Sequence, residues 1–351
     1  MKASLIIALF ATTLFSISCK EQKTVNNDLI IGAGRMPNLA RDTDGNFHVV
    51  YGIGDSIMYA VSNNKGETFS SPAVIAVLPQ LVASSMRGPQ IAATNAGLAI
   101  IAVNKSGDIF SFSNSNPGKW SQPVKVNDID TVAKEGLMAL GADGNNAFAV
   151  WLDLRDKHNK IVGARSTDGG KIWSKNVIVY ASPDTTVCEC CKPSVAVKAG
   201  NVYVMFRNHL HGNRDLHLIQ STDGGNSFGE AKQLGKENWA LNGCPMDGGG
   251  LVINSDGLPE TVWRRKNIIY ACVPGQPETA IGEGKGCSIE SVNGKNVYAW
   301  SENGEIIVRK PQGMKVNLGK GQLPLLKHIN NEHVLCVWEN DKQVHAEIVS
   351  L

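Results

Sequence analysis

A short pattern that returns along the chain constrains its fold more than any other feature. Ser166-Thr167-Asp168-Gly169-Gly170-Lys171-Ile172-Trp173 recurs almost letter for letter as Ser221-Thr222-Asp223-Gly224-Gly225-Asn226-Ser227-Phe228. Ser62-Asn63-Asn64-Lys65-Gly66-Glu67-Thr68-Phe69 keeps the serine, the glycine and the aromatic, with asparagine at the acid position, and an eroded copy covers 113–120. The pattern S-x-D-x-G-x-x-W/F reads as a hairpin turn. The acid can accept from turn N–H groups, the glycine takes positive φ, and the aromatic fills the space beneath the loop. Each copy follows a strand-like run such as 57–61 and precedes another such as 174–179. A turn that recurs between adjacent strands means that the sheet unit itself recurs.

These turns resemble the Asp-box, or BNR, repeat of the sialidase (neuraminidase) superfamily of β-propellers. The resemblance implies an all-β propeller of four-stranded blades. It implies little about activity, because such turns lie away from the propeller mouth and many Asp-box proteins are not sialidases. The turn residues Ser166, Asp168, Gly170, Trp173, Ser221, Asp223, Gly225 and Phe228 are therefore read as staples of the fold.

Counting units supports the propeller. A first strand recurs at 36–40, 89–92, 137–140, 193–197, 249–253, 287–289 and 324–326. A largely apolar second strand follows each, at 48–51, 99–102, 148–151, 202–206, 261–263, 297–300 and 334–338. That makes seven units, although sialidases have six blades and merging the short C-terminal units would restore six. The seventh unit lacks a fourth strand, and residues 28–34 form a strand without a unit. Because a closed ring removes exposed sheet edges, the N-terminal strand is expected to complete the last blade.

Residues 1–19 read as a lipoprotein-type signal peptide: Met1-Lys2, an apolar stretch at 5–15, then Ser16-Ile17-Ser18-Cys19. The small residues before Cys19 resemble a bacterial lipobox, in which that cysteine is lipidated; ordinary secretion with Cys19 as a spare thiol is the alternative. Residues 20–27 read as a polar tether and 28–351 as the propeller. The chain is thus expected in the bacterial cell envelope as a lipid-anchored monomer that meets the membrane through its anchor alone. A net charge of +2 with no Lys/Arg-rich run gives no reason to expect a nucleic-acid partner.

Loops entering the first strands, and those joining second to third strands, would build the functional face. They carry Arg35, Arg87, Arg155, Arg207, Arg214 and Arg264. Guanidinium groups pair two oxygens at once, so this mouth is expected to bind an acidic small molecule or glycan. Arg35-Met36-Pro37 resembles the sialidase Arg-Ile-Pro element, whose arginine binds the sialic acid carboxylate. Arg214-Asp215-Leu216-His217-Leu218, leading into a box, resembles the setting of a second triad arginine, and Asp55 lies where the family places its acid/base aspartate. The resemblance would make the chain an exo-sialidase if active. The catalytic set is incomplete, however. A tyrosine nucleophile needs a partner base, and Tyr270 and Tyr298 fall inside strand patterns.

The cysteines offer a different chemistry. Cys188, Cys190, Cys191, Cys244 and Cys287 enter three consecutive units, with Met246, His209 and His211 close by. Disulfides suit an exported chain. Thiolates with thioether and imidazole would instead suit copper(I), or zinc without the methionine, in a metal-binding or redox protein.

Overall fold

The computed structural model describes residues 28–116 and 118–351. The signal peptide 1–19 with Cys19, and the tether 20–27, lie outside them. Among the described residues there is no helix, and the strands form seven separate antiparallel sheets arranged as a ring. Blades 1 to 6 occupy 35–77, 90–125, 138–180, 194–233, 249–283 and 285–320. Each runs outward in chain order from an innermost first strand. Blade 2 adds the two-residue strand Lys119–Trp120 beside Ile109–Asn116. Blade 7 comprises Gln322–His328, His333–Asn340 and Gln343–Ser350, and its outer strand is Leu29–Ala33 from the opposite end of the chain. The count is therefore seven, and the N-terminal strand closes the ring as expected.

The second strands are buried because both of their faces are covered. Six of the seven blades place an aromatic there: Tyr51, Trp151, Phe206, Trp263, Trp300 and Trp338, all buried. Blade 2, with Gly97–Val103, uses only aliphatic residues. Burying each such ring contributes on the order of 2–3 kcal/mol. Three of the four tryptophans find partners for their polar edges: Trp151 Nε1 donates to Asp153 Oδ2 at 2.8 Å, Trp300 Nε1 to Glu302 Oε2 at 3.1 Å and Trp338 Nε1 to the Lys320 carbonyl at 3.0 Å. The Tyr51 hydroxyl and Trp263 Nε1 meet no acceptor among the described residues.

The repeated turns join strands three and four of blades 1, 3 and 4. In blade 3, Asp168 Oδ1 accepts from the Lys171 and Ile172 N–H groups, both at 3.0 Å, and from the Ser166 hydroxyl at 2.8 Å. The Gly170 N–H donates to Ser166 Oγ at 2.9 Å. Ser221, Asp223 and Gly225 repeat these bonds in blade 4. In blade 1, Asn64 Oδ1 does the same work, accepting from Thr68 N and Ser62 Oγ. Burial works to raise the Asp168 carboxyl, but the N–H and hydroxyl donors outweigh it and hold the group below its ordinary value.

Each turn also grips the preceding blade. Trp173 Nε1 donates to Ser111 Oγ of blade 2 at 2.8 Å. Phe228 meets Phe148 of blade 3 edge-to-face, with centroids 5.6 Å apart. Gly225 has φ 88°, and a Cβ there would fall 2.4 Å from Phe148, so both backbone and space demand glycine.

Two tests follow from this architecture. Asp168→Ala strips two N–H groups and a hydroxyl of their acceptor and should cost about 1–2 kcal/mol, read as a lower Tm. Asp168→Asn should stay close to wild type, as Asn64 demonstrates; equal losses in both would refute the acceptor role. The second test concerns Glu347, in the strand that pairs with Leu29–Ala33. Burial and then the charge of Asp28 push its carboxyl up to about 7. A raised carboxyl favours the folded state below its ordinary value, and that contribution is lost as pH rises through 7. Glu347→Gln should therefore raise stability by ~1–2 kcal/mol at pH 8, discounted for partial hydration, and leave it unchanged near pH 4. Thermal melts at the two pH values check this.

Candidate functional site

The seven innermost strands surround an axial channel of about 610 Å³. Its mouth is framed by Met36, Met86, Gln90, Lys192, Cys287 and Leu323; the far end carries Arg41, Asp143, Lys198 and His328. Met36, Met86 and Leu323 hold φ of 56°, 71° and 53°. Such values are costly for bulky residues and concentrate where the surrounding structure enforces them. Bulges at the entrances of blades 1 and 7 account for Met36 and Leu323. The buried Glu339 holds the first of these, accepting from the Met36 N–H at 2.9 Å and from Arg35 Nε at 3.1 Å.

The six arginines are largely engaged within the protein. Arg207 is buried, donating to the carbonyls of Arg214 at 2.7 Å and Arg264 at 2.8 Å and lying over the Trp239 ring. Arg264 bonds the buried carboxylate of Asp247 and the Pro245 carbonyl. Asp247 also accepts from the N–H groups of Gly248 and Gly286, tying blades 5 and 6 together at the mouth. Arg214 forks onto Glu189 and donates to Cys188 Sγ at 3.2 Å. Arg87 bonds the Glu135 carbonyl and Ser85. Arg155 clamps the fully buried Asp153 at 2.8 and 3.1 Å and does not line the channel. Among the described residues the outer guanidinium nitrogens of Arg35 have no partner, and its side chain is the most exposed of the set. Asp55 sits on an exposed turn, accepts from the Gln80 N–H at 3.0 Å, and likewise stays out of the channel.

One cation differs. Lys192 is enclosed by protein yet faces channel space, and its Nζ meets a single acceptor, Gln90 Oε1, at 2.8 Å. Gln90 is fixed by donating to the Gly88 and Pro89 carbonyls and by accepting from Asn38 at 3.2 Å. No carboxylate pairs with Lys192 among the described residues. Burial alone pulls its ammonium down to about 8. Sequence reading did not single out Lys192 or Gln90 as binding residues. The available signal was position: Lys192 directly precedes Pro193, which opens an innermost strand.

The cysteines divide into three sets. Cys190 and Cys244 form a disulfide linking the entrances of blades 4 and 5. Cys188 and Cys191 are buried free thiols whose sulfurs lie 3.3 Å apart, and Cys188 Sγ is 3.7 Å from Cys190 Sγ. The hydrogen bond with Cys191, with help from the Cys190 N–H and the charges of Arg214 and Arg207, brings the Cys188 thiol down to about 6. Burial drives Cys191 well up. Cys287 is buried and free, raised by burial and by Asp247. Sulfurs 188, 190 and 191 are close enough to share a metal ion. With Cys190 in a disulfide, two thiols remain, so copper or zinc would fit this set fully only after reduction. His209 and His211 do not join the cluster, and exposed His211 leans on Asp184. Met246 is half exposed, in a left-handed conformation.

No family model matches the chain, and no curated protein matches it. Similarity lies in fold. The BP39L lectin from Burkholderia pseudomallei superposes with a TM-score of 0.65 at 9% identity, over 92% of this chain and 97% of the lectin. An α-L-arabinanase from Penicillium chrysogenum, complexed with arabinobiose, gives 0.55 at 12% identity over 92% and 97% of the two chains. The NanB sialidase from Streptococcus pneumoniae gives 0.47 at 11% identity over 96% and 70%, a likeness too loose to carry an argument. At these identities the chain shares a β-propeller architecture with glycoside hydrolases and lectins.

Proposed function

We propose that this chain is an exported, lipid-anchored propeller of the Asp-box type that binds an acidic glycan at the mouth of its axial channel. The observation that carries the reading is Lys192: an ammonium with no carboxylate partner, held in the channel beside the fixed amide of Gln90. A cation whose charge the protein leaves unmatched suits an anionic ligand group, and the remaining N–H of the neighbouring Asn38 amide suits a hydroxyl. The free outer nitrogens of Arg35 add a second positive contact at the rim. A lectin and an arabinanase among the structural neighbours support a sugar as the ligand's body, and the disulfide supports export to an oxidising compartment. Recognition is better supported than sialoside hydrolysis. Tyr270 and Tyr298 lie within strands, and among the described residues no tyrosine lines the channel.

Calorimetric titration with uronate-, sulfate- and sialate-bearing oligosaccharides should find binding to at least one class. Lys192→Met should weaken it at least tenfold, about 1.4 kcal/mol, while Arg155→Ala leaves it unchanged. Affinity should fall as pH rises through 8, because the ammonium that meets the anion is then lost. Undiminished binding in folded Lys192→Met would remove Lys192 from the site. Failure of every acidic oligosaccharide to bind would dispose of the glycan reading.

A further inference from the structure

Cys188, Cys190 and Cys191 do not line the channel, yet their arrangement is specific. Two buried free sulfurs, Cys188 and Cys191, lie 3.3 Å apart, and Cys188 is 3.7 Å from a sulfur of the Cys190–Cys244 disulfide. Arg214 places Nη1 3.2 Å from Cys188 Sγ and is itself buried, held by Glu189. Cys244, at the other end of the disulfide, is exposed. A guanidinium against one sulfur favours its thiolate, which is the form that attacks a disulfide. Three of the four sulfurs thus form a tight interior triangle, and the disulfide joins one of its corners to exposed Cys244.

We propose that Cys188 and Cys191 are a redox-active dithiol that passes two electrons through the Cys190–Cys244 bridge to an external disulfide. The Cys188 thiolate attacks Cys190 Sγ; the 188–190 bond forms, the 190–244 bond breaks, and Cys244 leaves as a thiolate. Cys191, giving up its proton, attacks Cys188; the 188–191 bond forms and Cys190 leaves as a thiolate. The Cys244 thiolate attacks an external disulfide RSSR and expels one RS⁻. Cys190 then attacks the Cys244 side of the mixed disulfide, restores the 190–244 bridge and expels the second RS⁻. The protein dithiol is oxidised, RSSR is reduced to two RSH, and the two protons come from Cys188 and Cys191. This inference does not depend on the glycan reading.

Oxidised glutathione is the probe, with the full chain, glutathione release measured, and linkages mapped by differential alkylation and mass spectrometry. The expected result is two glutathione molecules released per chain, ending with both 190–244 and 188–191 bridges. Cys188→Ser should release none, and Cys244→Ser should be at least tenfold slower, since the exposed sulfur is gone. Because cysteine variants can fail to fold, Arg214→Gln supplies a version with all four sulfurs intact; it should also slow at least tenfold and reach the same linkages. The proposal is overturned if folded wild type releases no glutathione or if Cys244→Ser reacts at the wild-type rate. It falls equally if Arg214→Gln is unaffected, or if the thiols of the purified chain prove to be occupied by stoichiometric copper or zinc.

Discussion

Everything in this structure depends on ring closure. Leu29–Ala33 pairs with Gln343–Ser350, so the two ends of the described propeller share one sheet. Without that strand, blade 7 would present an unpaired edge and its neighbour, blade 1, would lose part of its packing partner. The cost of bringing these ends together is entropic and grows only slowly with the length of chain between them. The enclosed channel exists because the ring is shut, and the residues around it are assembled from blades far apart in sequence. Glu339 of blade 7 shows the coupling directly. Its carboxylate holds both Arg35 and the left-handed Met36 of blade 1, so the closing contact also shapes the mouth.

The electrostatics of the mouth follow from how the interior balances its own charges. The guanidinium groups of this face are drawn to buried acceptors: Arg264 to Asp247, Arg155 to Asp153, and Arg207 to two main-chain carbonyls. Buried charges paired in this way are poor recruits for a ligand, because each would have to abandon a desolvated partner. Binding capacity therefore belongs to groups left over after internal pairing. That selects Lys192 and the outer face of Arg35 from a mouth that looks uniformly basic by composition.

This distinction also explains what could be read from the chain and what could not. The turns at 166–173 and 221–228 encode their own geometry, since serine, acid and glycine bond within a few residues of one another; the blade count and the closing strand were legible from the recurring apolar strand runs and from the strand that the seventh unit lacks. The functional roles of Arg155, Arg207 and Arg264 depend instead on acceptors that folding brings near. Nothing about Arg207 in sequence reveals that the Arg264 carbonyl will take its hydrogen bond. Asp55 was legible as a turn residue but not as one excluded from the channel. The cysteines were legible as a cluster, while the choice of Cys244 as partner for Cys190 rests on the spacing between two blade entrances.

The juxtaposition of the two chemistries has a structural logic. Lys192 is the residue after Cys191, and its N–H bonds the Asp247 carbonyl in the segment that also carries Cys244. The disulfide and this backbone bond fasten the same two blade entrances. In the proposed exchange, the intermediate that carries the 188–191 bridge alone would lack one of those two fastenings beside the channel mouth until the external disulfide restores the 190–244 bridge, with the sheet ladders intact throughout. Arg214 extends the connection, because the guanidinium that touches Cys188 belongs to the residue whose carbonyl receives Arg207, and Arg207 in turn reaches the main chain of blade 5 at Arg264. The sulfur cluster and the ammonium thus share supports on blades 4 and 5.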